Sequence, residues 1–359
     1  MATVDIKALL EDVEYPLLRR TLGELGIVGA ARVSTLGRAS VSIKVPFVGH
    51  PLDRILQDDI SEALKNVKRV KSVDVEFVEM DEAEKVALMV GLVGTGVGEQ
   101  SSATRVISIA SGKGGVGKSS ITANLAVALA RRGHSVGVMD ADVWGFSIPG
   151  MLNAGPGPVI IGESIVPPEA HGVKVMSMDY FVGDDKAVIW RGPMLHKAME
   201  QFIQDVFWDA PDFLLVDTPP GTGDVAISLA QFMPRAQILL VTTPQPTAQK
   251  VARRAALMAK EVKQEVVGVV ENMSWFTGDD GVMYEIFGSG GGQDLADELG
   301  VPLLGKLPLL PALRSGADEG RPIHEVDEEC ELAKAFDTLA ESVVGLRPRV
   351  RTHPDLVIR

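Results

Sequence analysis

The sequence predicts a doubly wound α/β domain on a mostly parallel sheet, preceded by a small α+β domain, and three observations predict it. From Arg105 onward, near-continuous apolar runs alternate with segments of helical period. Each apolar run ends in a polar or proline-containing turn, as strands of a sheet covered on both faces do. Before residue 90, short stretches alternate apolar and polar residues instead, and a Gly/Ser-rich segment without periodicity separates the two regions.

In chain order, Ile6–Val13 reads as a short helix and Ala31–Val45 as two strands. Leu52–Asn66 carries Ile55, Leu56, Ile60, Ala63 and Leu64 at helical spacing. Val70–Val78 alternates strictly, with Val73, Val75 and Phe77 on one side of a half-buried strand. Residues 1–90 thus form the small domain, 91–104 a linker, 105–345 the α/β domain and 346–359 a solvated tail. Within the α/β domain, VISIA, SVGVMDAD, FLLVDTPP, AQILLVTTP and VVGVVENM are the strands. Helices fall over Ser119–Arg132, Pro193–Val206, Asp224–Phe232, Thr247–Lys263 and Asp294–Leu299.

Composition narrows the function. With 46% hydrophobic and 23% charged residues the chain reads as globular, and 359 residues suit about two domains. It has no run of 18 apolar residues, so a membrane-spanning helix is not expected. Acidic residues near the N-terminus do not suit a signal peptide, and a cytoplasmic location is expected. A net charge of −13 argues against nucleic acid, or an anionic membrane, as partner. One cysteine, Cys330, rules out an intrachain disulfide or a multi-cysteine metal site within one subunit.

GKGGVGKS, residues 112–119, satisfies G-x-x-x-x-G-K-[ST] between a predicted strand and a predicted helix. Its glycines let backbone N–H groups close around phosphate oxygens at a helix N-terminus. The candidate nucleotide-binding residues are Gly112, Lys113, Gly114, Gly115, Val116, Gly117, Lys118, Ser119 and Ser120. Lys118 is expected to reach the β- and γ-phosphates of ATP and Ser119 to ligate Mg²⁺. Ligands of such sheets bind beyond the carboxyl ends of the strands. Asp140, Asp142 and Asp217 stand there, followed by Gly221 in a PPGTGD turn and by Asn272. The alternatives for these aspartates are helix capping and solvated turns, and for Asn272 a bond within its own turn.

The second loop lysine makes the pattern K-G-G-x-G-K-[ST], which resembles the deviant Walker A group of MinD, ParA, nitrogenase iron protein and Mrp/ApbC types. More particular stretches, IWRGPM, VDTPPGTGD, VTTPQPTAQK, VVENMSWF and EIFGSGGG in that order, resemble the Mrp/ApbC iron–sulfur cluster carrier ATPases. The first 90 residues resemble the MIP18-like domain often fused in front of them. The resemblance implies a homodimeric ATPase, slow without a partner protein, in which Lys113 crosses to the other subunit's nucleotide. It further implies that Asp142 positions the attacking water, that Asp140 lies close to the metal, and that Asp217 holds Mg²⁺ through water. Gly221 would donate its N–H to the γ-phosphate and Asn272 would meet the adenine edge.

One departure is plain. Relatives carry a C-x-x-C pair after the NMS-aromatic-Phe segment, and two subunits share a [4Fe–4S] cluster through it. Here the segment runs from Asn272 through Asp279 and Asp280 to Gly281 without cysteine. The small domain also has His50-Pro51 where relatives carry a cysteine. Three readings follow. In the first, a carrier takes cluster ligands from assembly or client proteins, or uses an oxygen-rich site at Asp279, Asp280 and Asp294. In the second, an ATP-dependent switch or scaffold no longer binds a cluster. The third, a membrane-positioning ATPase, does not suit a tail with two prolines and no amphipathic period. No stable cluster is expected on the chain alone. The histidines show no metal-ligand spacing, Trp275 suits either a dimer surface or the core, Arg191 suits pairing with an aspartate, and Gly288–Gly292, just before a helix, suits a tight turn rather than an anion site.

Overall fold

The computed structural model describes residues 5–346 apart from 93, 95, 100, 144, 182–191 and 222–223. Arg191 and the residues of the tail from 347 lie outside the described set. The chain divides into two units, one of residues 1–93 with 160–166, the other of residues 94–159 with those from 167 on.

In the first unit, Val28–Val33 pairs antiparallel with Arg38–Val45, which pairs parallel with Ser72–Glu79. The parallel pair needs a crossover, and helix Asp53–Lys65 supplies it. Alternation in the central strand is strict: Ala39, Val41, Ile43 and Val45 are all buried. The helix turns Leu56, Ile60 and Leu64 inward at four-residue spacing, leaving Ile55 exposed. The helix expected over Ile6–Val13 shrinks to one 3₁₀ turn, Ala8–Leu10, because the chain then enters a two-strand ribbon, Glu14–Tyr15 with Arg20–Thr21. A helix the sequence pattern left unassigned covers Glu82–Leu92. Asp81 and Glu84 cap its start reciprocally, each side chain taking the other's backbone N–H. The short hairpin Val159–Ile161 with Ser164–Val166 contributes residues 160–166 to this unit.

The second unit carries an eight-stranded sheet. Its order is Glu169–Ala170, Val173–Ser177, Val136–Asp140, Phe213–Asp217, Arg105–Ser111, Gln237–Thr242, Glu265–Glu271, Leu303–Lys306. Only the Glu169–Ala170 edge is antiparallel to its neighbour. Strand side chains alternate between two cores. Ile107, Ile109, Leu239 and Val241 pack with Ile121, Leu125 and Leu129 of helix Lys118–Arg131 and with Phe336 and Leu339 of helix Glu331–Gly345. Ile238, Leu240 and Val269 face Ala252, Ala255, Ala256 and Ala259 of helix Pro246–Glu261. The alanines let that helix lie close to the sheet, and burial on both faces explains the continuous apolar strands.

Candidate functional site

Ser111, Asp140, Asp217, Thr242 and Glu271 end five neighbouring parallel strands, and all five are buried. Between Ser111 and helix Lys118–Arg131 runs the phosphate loop. Gly117 has φ +82°, and a Cβ there would lie 2.3 Å from the Asn272 amide nitrogen. At Gly112 a Cβ would meet the backbone nitrogen of Ala252 at 2.3 Å. Both positions therefore exclude a side chain for want of space, and at Gly117 for backbone angle as well.

Two of the loop's polar side chains converge on one carboxylate. Lys118 Nζ donates to Asp217 Oδ2 at 2.7 Å, and Ser119 Oγ donates to the same oxygen at 2.6 Å. Thr122 Oγ donates to Asp217 Oδ1 at 2.7 Å. Asp142 is nearby, its Oδ2 3.8 Å from Lys118 Nζ and its Oδ1 accepting the Gly145 N–H at 3.2 Å. Hard oxygen donors beside a phosphate cradle fit Mg²⁺, which takes few protein ligands and completes its shell with water and phosphate oxygens. Ser119 and Asp217 are the residues placed to hold it.

Other expected residues stand differently. Asp140, expected close to the metal, turns both oxygens to its own loop and the neighbouring strand. Its Oδ1 accepts the Asp142 N–H, and its Oδ2 accepts from the N–H groups of Ser147 and Ile148 and the hydroxyl of Ser177. It pins the loop that carries Asp142. Burial, then repulsion from Asp217, raise its carboxyl from 3.8 to about 7. The Gly221 N–H, expected to face the γ-phosphate, instead donates to the Ser111 carbonyl at 2.9 Å. Asn272, expected at the adenine edge, is buried and its amide nitrogen donates to the Val116 carbonyl at 2.8 Å, bracing the phosphate loop. Lys113 Nζ donates to Gln245 Oε1 at 3.2 Å, at the start of helix Pro246–Glu261. The Ser120 carbonyl accepts from the Asn124 amide.

The segment that lacks cysteines forms a small ribbon, Phe276–Thr277 with Met283–Tyr284. Asp280 spends its carboxylate inside it, accepting from Tyr284 Oη at 2.7 Å and from the Val282 N–H at 3.0 Å. Trp275 Nε1 and Thr277 Oγ both donate to Glu331. The oxygen-rich alternative at Asp279, Asp280 and Asp294 gains no support: among the described residues no three His, Cys, Asp or Glu side chains group to hold a metal ion. Cys330 sits at the start of helix Glu331–Gly345, its sulfur accepting the Ala333 N–H. His50 Nδ1 accepts the Leu52 N–H at 3.3 Å. The glycine run ends in helix Gly291–Leu299, where the Gly292 N–H donates to the buried carboxyl of Glu271.

Thr122 is the residue the motif does not disclose. Its signal is spacing, since four residues after Lys118 a helical side chain lies on the same face.

Comparison with known proteins agrees with this geometry. The family described as NUBPL iron-transfer P-loop NTPase matches residues 102–344, and the one described as iron-sulfur cluster assembly protein matches residues 3–77. The iron-sulfur cluster carrier protein of Mycobacterium bovis is 42% identical over 358 residues, covering 96% of this chain and 93% of that protein. A nucleotide-binding protein of Archaeoglobus fulgidus, solved in complex with ADP, is 32% identical at a TM-score of 0.55, covering 65% of this chain and 91% of that one. The septum site-determining protein MinD of Pyrococcus horikoshii, complexed with Mg-ADP, is 25% identical at a TM-score of 0.51, covering 67% of this chain and 96% of that one. Among the described residues no helix is long and apolar enough to cross a membrane. With one match across the whole α/β sheet and another relative similar along nearly its full length, the chain belongs to the NUBPL iron-transfer P-loop NTPase family.

Proposed function

We propose that this chain binds ATP with Mg²⁺ in its phosphate loop, hydrolyses it as a homodimer, and serves iron–sulfur cluster assembly or transfer. The carboxylate of Asp217 carries the reading, because it gathers Lys118 and Ser119 at the base of a glycine loop. The ADP complexes of the structural neighbours support the nucleotide, and the relatives' name, iron-sulfur cluster carrier protein, supports the cargo.

In hydrolysis a water oxygen bonds to the γ-phosphorus as the bond to the β–γ bridging oxygen breaks, giving ADP and phosphate. Backbone N–H groups of the loop and the Lys118 ammonium offset the phosphate charge. Asp142, beside Lys118, orients the water. Lys113 leaves Gln245 to reach the nucleotide of a second copy, as an arginine finger does. Ser119 and Asp217 would hold Mg²⁺, which when bound would further neutralise the phosphate oxygens.

Cluster cargo is a substrate of this cycle. Fe–S clusters are commonly held by four thiolates, and a dimer of a chain with one cysteine brings only two. The remaining ligands come from the donor or client protein. Phosphate release from ATP, measured with Mg²⁺ and again with EDTA, tests the hydrolytic part. Release that depends on Mg²⁺ is expected, and none at any protein concentration overturns it.

A further inference from the structure

We propose that Thr122 is a positioning residue for the nucleotide-bound Mg²⁺, acting through Asp217. The assignment rests on the nucleotide reading above.

Asp217 and Thr122 are both fully buried, at 0% exposure. The carboxylate divides its oxygens between two duties. Oδ2 meets Ser119 and Lys118, at 2.6 and 2.7 Å, while Oδ1 meets the Thr122 hydroxyl at 2.7 Å. A carboxylate's terminal torsion is broad and nearly two-fold, so it is fixed only when each oxygen has its own partner. Thr122 provides the second partner from within helix Lys118–Arg131, where its branched Cβ leaves few rotamers. The hydroxyl also lies 3.0 Å from the Lys118 carbonyl. It carries one proton, and the shorter contact to a charged acceptor takes it. Thr122 thus holds Oδ1 away from the site and keeps Oδ2 on the Ser119 side.

The loop's grip on phosphate uses backbone N–H groups and the Lys118 ammonium, and neither reaches the phosphate through Thr122. Its loss therefore strikes metal binding and spares metal-free nucleotide binding. The test uses full-length wild type, Thr122→Val and Thr122→Ser, with ADP and with Mn²⁺ read by electron paramagnetic resonance. Thr122→Val is expected to weaken Mn²⁺ in the ADP complex by about 10-fold or more, the usual cost of removing the group that orients a metal-binding carboxylate. Its ADP affinity in EDTA should match wild type, and Thr122→Ser should recover the metal affinity. If the valine variant does not fold, judged by its melting transition, Thr122→Ala carries the same comparison. Unchanged Mn²⁺ affinity overturns the proposal, as does an equal loss with and without metal, which a purely structural role would give. Wild type without ADP affinity in either condition overturns the nucleotide reading itself, which keeps the two failures apart.

Discussion

Asp140 and Asp217 end adjacent parallel strands directly opposite each other, yet only Asp217 touches the phosphate loop. Asp140 turns its oxygens to the N–H groups of Asp142, Ser147 and Ile148. One carboxylate meets the phosphate loop and the other the scaffold, and the pair supports a pH-dependent stability.

The Asp140 carboxyl is raised to about 7, first by burial and then by Asp217. A raised folded-state value means that the folded chain keeps this proton longer than the unfolded chain. The associated stability is complete below the unfolded value near 4 and is lost as pH rises toward 7. Asp140→Asn removes this slope. Urea denaturation at pH 5 and pH 8 should show a smaller fall for the variant, by at most about 3 kcal/mol, because about two of the three pH units of the rise lie between those pH values. Equal falls contradict the assignment.

Lys113→Ala should abolish ATP turnover while largely sparing ATP binding if, as proposed, its ammonium acts on the other subunit's nucleotide. Lys118→Ala should lose both. Mixing the two inactive variants should restore turnover, since a mixed dimer contains one site with an intact Lys118 and a donated Lys113. Phosphate release measures all three samples. A Lys113→Ala rate equal to wild type, or no recovery on mixing, rules out the role in trans.

Asn272→Ala removes the bond that braces the Val116 carbonyl. Loss of one buried hydrogen bond costs about 1–2 kcal/mol, roughly a 10-fold loss of affinity. A brace on the loop affects every nucleotide alike. Equilibrium binding of ADP and GDP should therefore weaken by similar factors, whereas a loss confined to ADP would return Asn272 to the adenine edge.

Anaerobic reconstitution with iron and sulfide should leave the purified chain without the broad visible absorbance of a [4Fe–4S] cluster. A single cysteine supplies too few thiolates, and its sulfur already accepts the Ala333 N–H. Stoichiometric iron with that absorbance would show that the ligands lie within the chain.

Much of the site is legible in the sequence because its chemistry is local. The loop glycines, Lys118 and Ser119 sit at fixed spacing between an apolar strand and a helix, and the strand ends name Asp140, Asp142 and Asp217. How each polar atom is spent is not local. Two aspartates two residues apart read alike, and only the turn back through Ser147 and Ile148 shows that Asp140 pins a loop. Asn272 contacts the loop across 156 residues of chain, a pairing no spacing rule reveals. The glycine run suggests an anion at a helix start, but the anion is Glu271, on a strand whose end comes 20 residues earlier than that helix begins. The capping pair Asp81 and Glu84 was within reach of sequence rules, and the glycine-rich stretch just beyond hides the helix it starts.

Titration calorimetry of ATP with Mg²⁺ into wild type and Lys118→Ala tests the central claim most directly. The account predicts saturable binding with one nucleotide per wild-type chain, and at least a 100-fold loss, about 2.7 kcal/mol, when the ammonium that meets the phosphates is removed. Absence of heat from wild type, or equal affinity in the two proteins, contradicts it.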